Sequence, residues 1–180
     1  MRPGAAGPEH GRPRWSAVLV PAVLVTVLLV AGCTSPGTAV SSPFTTGRPT
    51  LERGPIYEVK VQQVNGLGPV LVDGQGLALY LFETDRRGAP SRCYNICAIQ
   101  WPPALLPNGV SRPLAGPGVM PSLLGTAPRT DGTTQITYHG WPLYFWPPDH
   151  TPGTATGQAL TNAGGRWYVV DAAGDAVITK

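Results

Sequence analysis

Gly76-Leu77-Ala78-Leu79-Tyr80-Leu81-Phe82-Glu83-Thr84-Asp85 and Gly140-Trp141-Pro142-Leu143-Tyr144-Phe145-Trp146-Pro147-Pro148-Asp149 are two versions of one ten-residue phrase, 64 residues apart. Gly, Leu, Tyr and Asp stand at matching places, and Phe82 corresponds to Trp146 as an aromatic pair. Trp101 follows Asp85 by sixteen residues and Trp167 follows Asp149 by eighteen, so the match runs beyond the phrase. A fixed offset of this kind marks a duplicated structural unit.

Each unit reads as β structure. Val70-Leu71-Val72, the turn Asp73-Gly74-Gln75-Gly76 and the run Leu77 to Phe82 form a hairpin pattern. The second unit repeats it with Thr134 to Tyr138, the turn His139-Gly140, and Leu143 to Trp146, and an Asp131-Gly132 turn leads in. Tyr57, Val59 and Val61 alternate with Glu58, Lys60 and Gln62, the two-residue period of a half-buried strand. Trp167 to Val170, the turn Asp171 to Gly174, and Ala176 to Ile178 make a closing hairpin. No stretch after the first 32 residues has a helical period. The expected fold is all-β, two related β-hairpin or meander repeats forming one pseudo-two-fold domain.

Composition agrees. The 180 residues include 23 Gly and 21 Pro, hostile to helix interiors, and only 13% are charged against 42% hydrophobic. A net charge of +3 excludes an acid-rich disordered chain and a basic nucleic-acid binder. Most of that charge sits in the first segment, where Arg2, Arg12 and Arg14 precede the uncharged apolar run Ala17 to Ala31. At 1.5 Å per residue that run spans roughly 22 Å, too short for a bilayer core of about 30 Å, and suits the apolar part of a signal peptide.

The run ends in Val30-Ala31-Gly32-Cys33, which resembles the lipobox of bacterial lipoproteins. The resemblance implies cleavage before Cys33, acylation of its thiol and attachment to the outer side of a cell membrane. One acyl chain anchors only marginally, so two or three are expected. Residues 1–32 are then a lipoprotein signal peptide, residues 33–55 a lipidated cysteine with a flexible Pro/Ser/Thr/Gly tether, and residues 56–180 the β-repeat domain.

Tyr80-Leu81-Phe82-Glu83-Thr84-Asp85 and Tyr144-Phe145-Trp146-Pro147-Pro148-Asp149 both fit Tyr-x-[Phe/Trp/Tyr]-x-x-Asp. With Cys93-Tyr94-Asn95-Ile96-Cys97, Trp101-Pro102-Pro103 and Arg129-Thr130-Asp131-Gly132, they make the chain from Val59 to Ile178 resemble the bacterial lipoprotein family named for that motif, a secreted repeat. The resemblance implies an extracytoplasmic module and no particular chemistry.

Chemistry must come from the residues. Asp85 and Asp149 suit either a paired-carboxylate site or, as repeat-derived residues, turn closure by bonds to local backbone N–H groups while Tyr80 and Tyr144 pack inside; the second reading is preferred. Cys93 and Cys97, in an oxidising compartment, suit a disulfide. The alternative is a redox or copper site that adds His139 or His150 as a ligand. Most of the tryptophans suit packing, with Trp141 and Trp146 the candidates for an exposed platform. No nucleophile elbow, phosphate-binding loop or His-Glu-x-x-His occurs. The expectation is a non-catalytic binding or structural module without a cofactor, with an envelope ligand and the membrane as partners and no nucleic acid.

Overall fold

The computed structural model describes residues 53–178. The signal segment 1–32, Cys33 and the tether to residue 52 lie outside the described residues.

The strands are β1 (Glu58–Val64), β2 (Gly68–Asp73), β3 (Tyr80–Phe82), β4 (Leu114–Ala115), β5 (Leu124–Pro128), β6 (Thr134–Tyr138), β7 (Trp141–Pro142), β8 (Thr161–Asn162) and β9 (Gly165–Val169). They form three small sheets, ordered β2-β1-β4, β3-β9-β8 and β5-β6-β7. Among the described residues only the β1–β4 pair is parallel. Isolated bridges join the segments flanking these sheets to them: Val70 meets Asp171 and Tyr80 meets Tyr144, and Leu105 lies along β6 at Gln135.

This stitched layer is covered on both sides, and strand alternation divides its side chains between two apolar clusters. Val70, Val72, Tyr80, Phe82, Trp167 and Val169 enter one, with Trp101 and Tyr144. Leu71, Leu79, Leu81, Tyr168 and Val170 enter the other, with Ile136, Tyr138 and Leu143. Burial on both faces is why the run from Leu77 to Phe82 is continuously apolar instead of alternating. In β1, Val59 and Val61 turn to the second cluster and Val64 to the first, while Lys60 and Gln62 are half-buried and Gln63 is exposed, so the alternation expected from Tyr57 to Gln62 does not extend to the end of the strand.

One short helix departs from the sequence expectation. Helix α1 (Ile96–Gln100) is five residues long. Asn95 enters it at φ 53°, and Trp101 N–H closes it on the Cys97 carbonyl at 2.7 Å. Fewer than two turns cannot display a 3.6-residue period, so its pattern is invisible in the sequence.

Candidate functional site

The repeated phrases meet back to back. Tyr80 N–H donates to the Tyr144 carbonyl and Tyr144 N–H to the Tyr80 carbonyl, both at 2.9 Å. A reciprocal antiparallel pair puts the two side chains on one face of the layer. Their hydroxyls then reach across the repeats. Tyr80 donates to Asp149 Oδ2, and Tyr144 donates to Asp85 Oδ2 at 2.6 Å. Each tyrosine is held by the aspartate of the other repeat.

The second oxygen of each carboxyl group closes a loop seven residues long. Asp85 Oδ1 accepts Arg92 N–H at 2.7 Å, and Asp149 Oδ1 accepts Thr156 N–H at 2.8 Å. The expected turn closure by local backbone is therefore present, and the tyrosine from the other repeat is added to it. Asp85, Asp149, Tyr80 and Tyr144 are each at most 4% exposed. Burial, reinforced by the neighbouring carboxyl groups, pushes both tyrosine hydroxyls far above their ordinary range. Burial also raises Asp85, against the lowering effects of Tyr144, Arg92 N–H and Arg129. The two hydroxyls are thereby kept as donors, and all four side chains are held in the interior.

The stacked aromatic rings alternate between the repeats, while each tyrosine stands edge-on to the tryptophan of its own repeat. Phe82, Trp167, Trp101 and Trp146 stack in that order, with ring centroids 4.1, 4.0 and 4.3 Å apart. Tyr80 stands edge-on to Trp101 at 5.3 Å and Tyr144 edge-on to Trp167 at 5.1 Å. Offset stacks and edge contacts are the arrangements that ring quadrupoles favour, each adding about 0.5–1.5 kcal/mol beyond burial. Gly157 leaves room for the stack, since a Cβ there would lie 2.8 Å from Trp101 and 3.0 Å from Trp146 and Tyr80.

Cys93 and Cys97 are joined in a disulfide with their Cα atoms 5.2 Å apart. It is tied to the second repeat by a residue that sequence reasoning treated only as part of a turn. Arg129, 6% exposed, donates to the Cys93 carbonyl at 3.0 Å and to Gln135 Oε1 at 2.7 Å. Its Nε reaches Asp131 at 3.1 Å, and its guanidinium lies 4.3 Å from the Tyr94 ring. Fully buried Gln135 passes the network to the Leu143 carbonyl at 2.8 Å. The only available signal was an arginine held within the quoted Arg-Thr-Asp-Gly stretch, and its burial is a tertiary fact.

The remaining candidates are dispersed. His139 is half-buried at φ 48°, with Nε2 3.3 Å from Arg87 Nη1, whereas His150 is exposed. Among the described residues no three His, Cys, Asp or Glu side chains gather as a metal-binding group. Trp146 packs on the first apolar cluster and Trp141 on the second, with the Arg87 guanidinium 5.5 Å from the Trp141 ring.

The contacts recur with shifts of 64 to 66 residues. Leu79 N–H meets Leu71 O and Leu143 N–H meets Ile136 O, while Leu71 N–H meets Val170 O and Ile136 N–H meets Ala104 O. A family profile describes the same two segments. The chain matches a secreted repeat of unknown function, once over residues 64–105 and again over residues 125–171. These matches end just beyond Trp101-Pro102-Pro103 and at Asp171, so the first holds Tyr80, Phe82, Asp85 and Trp101 and the second Tyr144, Trp146, Asp149 and Trp167. Neither a curated protein nor a solved structure matches the chain significantly.

Proposed function

We propose that the mature chain is a lipid-anchored extracytoplasmic module that binds a partner at the envelope and catalyses nothing. The observation that carries this reading is the mutual use of the motif residues. Tyr80 and Asp149, and Tyr144 and Asp85, satisfy one another in the interior, which spends the repeated polar groups on holding the two repeats together. A joined Cys93–Cys97 pair bound to buried Arg129 supports a structural staple over a thiol or copper site. Anchoring rests on Val30-Ala31-Gly32-Cys33 behind the apolar run.

Two measurements test it. The full chain should fractionate with membranes and carry acyl mass on Cys33, and Cys33→Ala should be soluble or unprocessed. Thiols should titrate only after strong reductant; stoichiometric copper bound by the reduced protein would overturn the structural assignment of the cysteine pair.

A further inference from the structure

β5 is an edge strand with an open side. Its inner side pairs with β6 in a ladder that places Thr126 opposite Ile136 and Leu124 opposite Tyr138. Arg129 N–H bonds the Thr133 carbonyl and His139 N–H the Leu123 carbonyl. Those bonds fix which residues exchange bonds within the ladder, and in antiparallel pairing the alternate residues turn their main-chain groups outward. Thr126 is one of them. Its N–H and C=O face away from β6 and meet no other partner among the described residues. The outer sides of β2 and β3, by contrast, are covered by Val170 and Tyr144. β4 and β8 are only two residues long, so β5 is the long open edge among the described residues.

A cleft of about 470 Å³ runs beside this edge, lined by Arg112, Leu114, Ala115 and Pro121 as well as Leu124 to Thr126. A smaller hollow of about 140 Å³ continues from Thr126 to Pro128. Arg112 is exposed and has no ion-pair partner among the described residues, and Leu114 is 46% exposed. The cleft thus offers unpaired main-chain groups, an apolar wall and one free positive charge.

We propose that this cleft binds an extended acidic peptide segment of a partner protein, which adds as a strand to β5. The peptide backbone pairs with Thr126, an apolar side chain rests on Leu114, and a carboxylate meets Arg112. Main-chain pairing supplies affinity and the side-chain contacts supply selection. The inference rests on the reading of the protein as a binding module, and names its partner.

The test pans a random octapeptide display library on the full chain. Winning peptides should alternate apolar and polar residues and carry Asp or Glu. Binding should slow hydrogen exchange at Thr126 N–H, and Thr126→Pro, which removes that donor without touching the ladder, should weaken binding about tenfold. Arg112→Gln, at an exposed site that leaves the fold alone, should weaken acidic peptides several-fold and their Asn/Gln counterparts little. The proposal is overturned if no peptide is enriched, if winners bind both variants as well as the parent, or if Thr126 is protected without peptide as protein concentration rises, which would make a second copy the occupant. Membrane fractionation of Cys33→Ala is independent of all these outcomes, so the anchored reading can fail or survive separately.

Discussion

Removing the Tyr80 hydroxyl should uncouple the two repeats, and a double-mutant cycle measures by how much. In Tyr80→Phe the buried Asp149 Oδ2 loses its donor and the Gly157 N–H, 3.2 Å away, loses its acceptor. A buried polar group left without a partner costs about 1–3 kcal/mol, more if charged, so the substitution should cost about 3 kcal/mol. For a domain of this size that lowers Tm by roughly 10 °C. Asp149→Ala should cost a similar amount, because it strands the same hydroxyl and also the Thr156 N–H. The double variant should be less destabilised than the sum by about 2 kcal/mol, the coupling of a hydrogen bond to a carboxyl group. Tyr80→Phe with Asp85→Ala, the pair within one repeat, should couple much more weakly, about 0.5 kcal/mol or less. Equilibrium urea unfolding followed by tryptophan fluorescence reads all the variants, since three tryptophans sit in the stack beside Tyr80. Stronger coupling of Tyr80 to Asp85 than to Asp149 would refute the crossed pairing.

Acidity offers a second test. Asp85 and Asp73 both have raised folded-state values, chiefly through burial, so the folded chain holds these protons when the unfolded chain has released them. Their contribution to stability is fully present below the ordinary aspartate range near 3.9 and is lost as pH rises through the raised values. Tm should therefore fall as pH rises above about 4, and Asp85→Asn should flatten that slope; an unchanged slope contradicts the assignment. Arg129→Lys should cost about 2–3 kcal/mol in urea unfolding, because one ammonium cannot serve Gln135, the Cys93 carbonyl and Asp131 together; a loss below about 0.5 kcal/mol, the usual range of a surface change, argues against a buried junction. Replacing Cys93 and Cys97 by Ser should cost about 2 kcal/mol, the chain-entropy figure for so short a loop, and an unfolded double variant would show that the bridge supports much more than α1. Trp101→Ala should cost about 4 kcal/mol and remove most of the near-ultraviolet circular dichroism of the stacked rings, and retention of that signal would place the coupled rings elsewhere.

The first repeated phrase was legible in part because both faces of the layer are buried, but its strand is only Tyr80–Phe82, and in the second phrase Trp141–Pro142 forms the strand and Tyr144 an isolated bridge in place of the expected run Leu143 to Trp146. Leu77 to Phe82 must be apolar throughout, and the flanking Asp-Gly and His-Gly turns punctuate it. The two-residue strands β4, β7 and β8 were not legible, since their pairing depends on what the fold brings beside them. Helix α1 was hidden for the same reason, being closed by a disulfide and a cap and not by a periodic apolar face. Asp85 and Asp149 were read correctly as closing turns, yet nothing local reveals that each also receives a hydroxyl from 59 or 69 residues away.

The sequence by itself determined that two similar β units exist, that tyrosine, aspartate and tryptophan recur in each, and that Cys93 and Cys97 lie close enough to pair. Local spacing and a fixed offset suffice for these. Only the tertiary structure decided that the units exchange partners, that Arg129 is drawn inside between them, and that β5 is left with an open edge. Those are contacts between residues far apart in the chain, and identical motifs are compatible with pairing within a repeat or across repeats. The choice belongs to packing: the reciprocal bonds between Tyr80 and Tyr144 set the two hydroxyls on one face, and each finds the carboxyl group that the opposite repeat buries there.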